Sequence, residues 1–387
     1  MRILQRYFAV QITQAVVFVL LAFLALLAFM DLSGELTAVG KNGYGIEHAL
    51  LYVLILVPGH VYEVMPLAAL IGTIYTMAQF ANSSEFTIMR VSSMSTSMAA
   101  GMLFRIGLVF VIITFIFGEL IVPRTTPLAE QLKLSGRGTT VSQEFSSGMW
   151  TKDIIKSEGL SGAVLGSRFF NVRTAGIDGE LKDVKLYEFD TNFRLRSLIV
   201  AARATYQGNN IWRLFDVTES RFSNAAPADA RINLQNNFAQ ETSSVTTEKS
   251  ASKDLVSEIT PKILSVSSSD PDRMSANELA LYTRHLTENK QETERFKIAF
   301  WKKLVNPLGI FVLMALALPF AYLQSRSGGV SLKIFIGIMI GVSFILINTL
   351  FSHLGLLSTW PAFITAVAPS LLFLLIAIAA LWWVERH

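Results

Sequence analysis

Apolar residues in this chain gather in six long runs: Phe8–Met30, Val64–Phe80, Met98–Val122, Leu304–Tyr322, Ile334–Phe351 and Ala362–Val384. Each is long enough at ~1.5 Å per residue to cross a hydrocarbon layer of about 30 Å. The spacing predicts three membrane helices, a long polar interval and three more. A seventh apolar stretch, His48–Val57, stops at Pro58-Gly59-His60 and is too short to span; it predicts an interfacial or re-entrant helix leading into the second span. Tyr7 to Met30 carries no charge, more than a signal peptide's apolar core needs, so this run is predicted to be a retained first span. No sequence repeat relates the two halves.

The polar interval reads differently. Between Gly148 and Lys249, short strand-like runs alternate with turn residues. Val184–Phe189, Leu195–Tyr206 and Ile211–Phe222 are three of them, with turns at Asp178-Gly179 and Gly208-Asn209-Asn210. Several strands without intervening helices predict an antiparallel sandwich or jelly-roll. Ser250–Asp272 is serine-rich and reads as a linker. Ser275-Ala276-Asn277-Glu278 then fits a capping box opening a connecting helix over 275–297, with Leu279, Tyr282 and Leu286 on one face. The fold class is thus an α-helical membrane protein with six spans (3+3) and an inserted all-β domain. Residues 1–122 hold spans one to three, 123–303 the inserted domain, and 304–387 spans four to six.

Charge sets the orientation. Arg2 and Arg6 precede span one, Arg90 and Arg105 lie beside spans two and three, Arg326 and Lys333 lie between spans four and five, and Arg386 follows span six. The opposite short loops hold only Lys41 and, in Ser352–Pro361, no Lys or Arg. Basic loops stay in the cytoplasm, so both termini are expected there and the inserted domain is expected outside, in the periplasm. Lys302 and Lys303 abut span four on the side that this rule leaves poor in cations.

Composition removes several kinds of chemistry. The net charge of +4 is too small to suggest nucleic acid, and with no cysteine there is no disulfide, thiolate metal site or thiol nucleophile. The five histidines stand apart, and no H-E-x-x-H, G-x-S-x-G or phosphate-binding P-loop occurs. The acidic residues Asp31, Glu63 and Glu119 fall at the outer ends of spans. No catalytic residue, metal site or cofactor is expected.

The segment 83–93, pinned between spans two and three, is too polar to span. Ser83 or Ser84 can cap a short helix whose first turn holds Glu85. Phe86, Met89 and Ser93 fall on one face, with Ile88 beside them and Arg90 near the end. Two readings stay open on the residues alone: a coupling helix that docks into a groove of a soluble ATPase, or an interfacial helix resting on lipid. In the second span Pro66 predicts a kink, and Ala68, Ala69 and Gly72 predict close helix packing.

The run from Glu63 through Leu70, with Ser84-Glu85 and Met89-Arg90, resembles the LptF/LptG family, the permease subunits of the lipopolysaccharide exporter. Phe29-Met30-Asp31, Gly43-Tyr44, Gly118-Glu119, Val122-Pro123, Gly148-Met149-Trp150 and Asn306-Pro307-Leu308 extend the resemblance, in order, over essentially the whole chain. The run from Asp31 to Tyr44 resembles the LptG branch more than LptF. There are departures: Ser93 stands where family members often have Gly, and Ser33-Gly34-Glu35 where some relatives carry lysines.

The resemblance implies an ABC transporter permease of the Gram-negative inner membrane that draws lipopolysaccharide from the outer leaflet and passes it to a periplasmic bridge. Its implied partners are an LptB-like ATPase dimer, a second permease of the LptF type, and LptC-like and LptA-like bridge proteins. Glu85, Phe86, Met89 and Arg90 then take the ATPase-coupling role. An anionic phosphorylated lipid head needs cations at the rim of an apolar cavity, which gives Lys302 and Lys303 a rationale. Lys133, where relatives have a basic residue, joins them with Arg124 and Lys41; Arg137 lies nearby. A reading of a different class is a non-transporting membrane scaffold or sensor with a periplasmic binding domain.

Overall fold

The computed structural model describes residues 2–40, 44–92, 94–137, 148–175, 180–223, 244–261, 263–264, 270–289, 291–322, 330–358 and 360–386. Lys41, Gly43, Ser93, Asp178-Gly179 and Arg326 lie outside the described residues, as does the side chain of Arg137. The chain divides into two compact units. One comprises residues 1–133, 270–287 and 292–387; the other comprises 134–269 and 288–291.

The first unit is helical. Its elements are α1 (Arg2–Leu36), α2 (Ile46–Asn82), α3 (Glu85–Val91), α4 (Thr96–Ile116), a π-helical turn (Phe117–Ile121) and the start of α5 (Val122–Arg137). After the second unit come α6 (Ala276–Glu288), α7 (Glu294–Val305), α8 (Gly309–Ala317), α9 (Val330–Leu357) and α10 (Ala362–Arg386). Among the described residues, six helical runs are long and apolar enough to cross a membrane: Ile3–Leu36, Ile46–Asn82, Thr96–Lys133, Glu294–Ala321, Ser331–Leu357 and Ala362–Val384.

The stretch before the second span is not a separate helix. α2 runs unbroken for 37 residues through Pro58 and Pro66. A proline inside a helix removes one backbone bond, but neighbouring helices and local adjustment accommodate that loss in membrane helices. At roughly 55 Å by the helical rise, α2 outreaches a bilayer core, so its first turns extend past it. The third span likewise does not stop at Val122; α5 continues it to Arg137.

α2 is the hub of the first unit, packing against α1, α4, α8 and α9. Ala68, Ala69, Leu70 and Ile74 are fully buried there. Gly72 lets α1 in: a Cβ on it would stand 2.7 Å from the backbone N and Cα of Val16.

The second unit is built on one antiparallel sheet: β1 (Met149–Glu158), β2 (Ser161–Ala175), β3 (Leu181–Asp190), β4 (Leu195–Gly208), β5 (Ile211–Ser223) and β6 (Ser244–Val256), in sequential order. The described strands thus form a meander, and no second sheet of a jelly-roll appears among the described residues. Alternation fixes the register. Val172, Val184, Ala201 and Val217 stand opposite one another across β2 to β5 and are all buried. Phe170, Leu186 and Ile199 make the next row. Trp212 is fully buried beside them, and its Nε1–H donates to the Ile259 carbonyl at 2.7 Å.

The predicted strands at 184–189, 195–206 and 211–222 are β3, β4 and β5, longer by four, two and one residues. Asn209 and Asn210 make the β4–β5 turn with φ of 49° and 63°, the left-handed region that asparagine tolerates best after glycine. The serine-rich stretch expected as a linker from Ser250 is, through Val256, part of β6, paired along its length with β5. Its side chains are mostly solvent-facing, which is why it reads as polar.

The capping box forms as expected: the Glu278 N–H donates to Ser275 Oγ at 3.2 Å, and the Ser275 N–H to Glu278 Oε2 at 3.1 Å. Leu279, Tyr282 and Leu286 are buried. The helix expected over 275–297 is, however, two helices. α6 ends at Glu288, and α7 starts at Glu294 to continue into the fourth span.

Candidate functional site

At one end of the helical unit, α3 joins α2 to α4. Ser84 holds φ 61° and turns the chain between α2 and α3. Neither serine side chain caps α3; Ser83 Oγ instead donates to the Gln79 carbonyl at the end of α2. Phe86 is buried, 2% exposed, and meets the Tyr322 ring edge-on at 5.0 Å. Met89 packs against the same helical core. The Arg90 guanidinium lies over Tyr322 at 4.8 Å, a cation–π contact, and the Tyr322 hydroxyl is 2.6 Å from Thr96 Oγ1. Glu85 accepts the Tyr7 hydroxyl at 2.9 Å.

Glu85, Phe86, Met89 and Arg90 therefore fasten α3 to the first, second and fourth spans. Phe86 and Met89, expected to fill a partner's groove, face this chain's own core. The outward apolar residues are Ile88, 63% exposed, and Val91, 84% exposed. Tyr7 and Tyr322 complete the seat and were not singled out from sequence. Their signal was a tyrosine at each of two span ends, legible only once α3 had a place.

At the other end, the π-helical turn splits the third span around Gly118-Glu119. A Cβ on Gly118 would lie 2.6 Å from the Tyr62 ring, so this glycine admits that ring against the turn. Glu119 reaches α6, where its two carboxylate oxygens accept the Ala276 N–H. Insertions of this kind recur at functional sites.

Lys303 stands in the last turn of α7. Only 3% exposed, it places Nζ 4.6 Å from the centre of the Tyr62 ring and donates to the Asp272 carbonyl at 3.4 Å. Lys302 pairs with the Asp272 carboxylate at 3.7 Å and is partly open. The two lysines thus converge on Asp272, whose 3₁₀ turn (Pro271–Arg273) is capped by Asp270. Lys133 pairs with buried Glu35 at 3.6 Å and lies 5.4 Å from the Tyr52 ring. Arg124 is exposed on α5. Lys302, Lys303, Lys133 and Arg124 all belong to the helical unit.

The same end holds a further polar group. His60 Nε2 is 2.6 Å from Asp31 Oδ2, and His60 Nδ1 is 3.8 Å from Glu63 Oε2. A polar residue within an apolar run marks such a site in sequence, but the pairing of Asp31 with His60 requires α1 and α2 to be in place.

The family model described as lipopolysaccharide export system permease LptF/LptG matches residues 6–383 of the chain. The chain is similar to the lipopolysaccharide export system permease protein LptG of Escherichia coli (strain K12), 27% identical over 387 residues, covering 99% of this chain and 98% of that protein. It is also similar to the protein of the same name in Haemophilus influenzae, 27% identical over 381 residues, covering 98% of this chain and 97% of the relative.

Proposed function

Because the chain belongs to the family of lipopolysaccharide export system permeases LptF/LptG, we propose that it is an ABC transporter permease that extracts lipopolysaccharide from the outer leaflet of the inner membrane. The observation that carries this reading is the extent of the match: it runs through both helical halves and the sheet. The fold agrees with a multi-pass inner membrane protein. The relatives named LptG favour that branch, with a second permease of the LptF type as its partner.

In this reading an LptB-like ATPase dimer supplies the energy from the cytoplasm, where both termini lie. α3 is the coupling helix. Ile88 and Val91 enter the ATPase, while Phe86, Met89, Arg90 and Glu85 carry the displacement into the spans to which they are fastened. A short helix anchored by an aromatic pair moves with its seat rather than against it.

The sheet is the periplasmic domain in this reading, and its jelly-roll shape belongs to the same proposal. β1 and β6 end the strand order, and an edge strand is a template for strand addition, which suits LptC-like and LptA-like bridge proteins. Lys302, Arg124 and Lys133 form the cationic rim for the lipid phosphates, and Lys41, outside the described residues, is proposed to bind the same phosphates. Lys303, buried against Tyr62 and Asp272 in this conformation, reaches that rim only when those contacts open.

Purification of the tagged full-length chain from its native membrane tests the proposal. A P-loop ATPase and a second, homologous permease should co-purify, and lipopolysaccharide should stimulate ATP hydrolysis by the complex. A chain that purifies with neither would stand instead as a scaffold or sensor.

A further inference from the structure

Arg105 stands on α4, about 14 Å along the helix from Thr96 by the helical rise. Its guanidinium is exposed and donates Nη1–H to Gln5 Oε1 of α1 at 3.1 Å. Two hollows share this pair. One, of about 300 Å³, is lined in part by Ser97 and Gly101. The other, of about 450 Å³, is an apolar groove with Ala9, Thr13 and Val17 on the α1 side, Val109 and Ile113 on the α4 side, and Met65 on the α2 side. The groove reaches Phe117, roughly 18 Å from Arg105 along the helix.

Among the residues lining the two hollows, Arg105 is the one charged side chain. A guanidinium carries five N–H donors, and the lining has no carboxylate to meet them. A hollow that offers the Ser97 hydroxyl and the Gln5 amide among apolar neighbours, a cation with no carboxylate in the lining and a long apolar groove follow in that order along the helices. A membrane lipid has the same order of head, phosphate and chain. The groove is about as deep as one leaflet, half of a ~30 Å hydrocarbon core, so it is too short to seat a crossing helix of another protein.

From these observations we propose that the α1–α4 groove binds one anionic glycerophospholipid, its phosphate on Arg105 with the Ser97 hydroxyl nearby and an acyl chain beside Thr13 and Val109. The site lies toward the start of α4, whereas Lys303 and Tyr62 meet beyond its end. It is therefore separate from the cationic residues assigned to the exported lipid. Its occupant comes from the leaflet at the Arg105 end and holds α1 to α4.

The test uses the full-length chain in nanodiscs of phosphatidylcholine doped with phosphatidylglycerol that carries a photoactivatable acyl chain, with the labelled peptides read by mass spectrometry. Label should concentrate on peptides holding Thr13 and Val109 and be competed by plain phosphatidylglycerol. It should fall about tenfold in Arg105→Gln, the scale of one charge-assisted hydrogen bond, and persist in Arg105→Lys. Thr13→Phe, which fills the groove and keeps the cation, should also lose it. Undiminished label in Arg105→Gln and Thr13→Phe would overturn the site. Equal labelling by a phosphatidylcholine probe would overturn the anionic preference, and label spread evenly over the lipid-facing helices would mark ordinary membrane contact.

Discussion

Glu119, in the π-helical turn of the third span, accepts the backbone N–H of Ala276 with both carboxylate oxygens, at 3.1 and 3.0 Å. Ala276 is the first residue of α6, so a carboxylate from a distant span caps a helix whose own capping box already holds Ser275 and Glu278. A negative charge at a helix N-terminus is favoured by the helix dipole as well as by the bond itself.

Removing that cap should be measurable. Glu119→Ala is expected to cost about 0.5–2 kcal/mol, the range for a lost N-cap, seen as a lower midpoint of thermal unfolding of the purified chain. Glu119→Gln keeps an acceptor and should lose less. Equal midpoints for wild type and Glu119→Ala would show that the bond contributes nothing to stability.

The meeting of α1 and α2 at Gly72 gives a second prediction. The atoms that an added Cβ would meet are the Val16 backbone and its Cγ2, and backbone cannot rotate away. Gly72→Ala should therefore displace α1 and destabilise the unit by about 1–3 kcal/mol, as overpacking does. Cysteines placed on α1 and α2 beside this point, in a chain that has none of its own, should crosslink less readily in Gly72→Ala. Unchanged crosslinking and an unchanged melting midpoint would show that the helices absorb the methyl group.

Much of this architecture was legible because its signals are local. Long apolar runs give the spans, alternation gives β3 to β5, and Ser275 to Glu278 give their own cap. What the sequence hid depends on distance. Pro58 looks like a boundary because proline usually ends a helix, yet α2 continues through it. Ser250 to Val256 look like a linker because only their pairing with β5 makes them a strand. The direction of α3 was hidden for the same reason. Phe86, Ile88, Met89 and Val91 surround its axis with apolar side chains, and only Tyr322, from the far end of the sequence, decides which face turns inward.

The sheet should respond to acid through Glu219. Burial pushes its carboxyl up, but hydrogen bonds from Arg221 and Lys253 outweigh that and hold it below the ordinary value near 4.5. Above that value the pair of contacts stabilises β5 and β6 in full. As pH falls toward the lowered folded value, the unfolded chain takes up the proton first, and this stabilisation is lost. Protection of the β5 and β6 amides, measured relative to their intrinsic exchange rates, should therefore fall as pH drops below about 4.5, and less so in Glu219→Gln, which has no carboxylate to titrate. An identical pH response in both would assign the effect to other groups.

The last prediction separates the two faces of α3. Ile88 and Val91 point away from the chain, whereas Phe86 is buried against Tyr322. If α3 enters an ATPase, the exposed pair supplies the apolar contact. One large side chain buried in a partner is worth about 1.5–3 kcal/mol, so Ile88→Asp or Val91→Asp should cut ATPase co-purification by about ten- to a hundredfold while the chain melts as before. Phe86→Ala acts from the other side. It should lower the melting midpoint and uncouple α3 from its seat, so that an ATPase still binds but lipid release falls. Tyr7→Phe, which removes the hydroxyl that Glu85 accepts at 2.9 Å, should show a weaker form of the same uncoupling. Pull-down of the partner, ATP hydrolysis and lipid release measured on one set of variants distinguish binding from transmission. Full ATPase retention by Ile88→Asp and Val91→Asp together would make α3 a helix resting on the membrane surface, with Phe86 no more than its anchor.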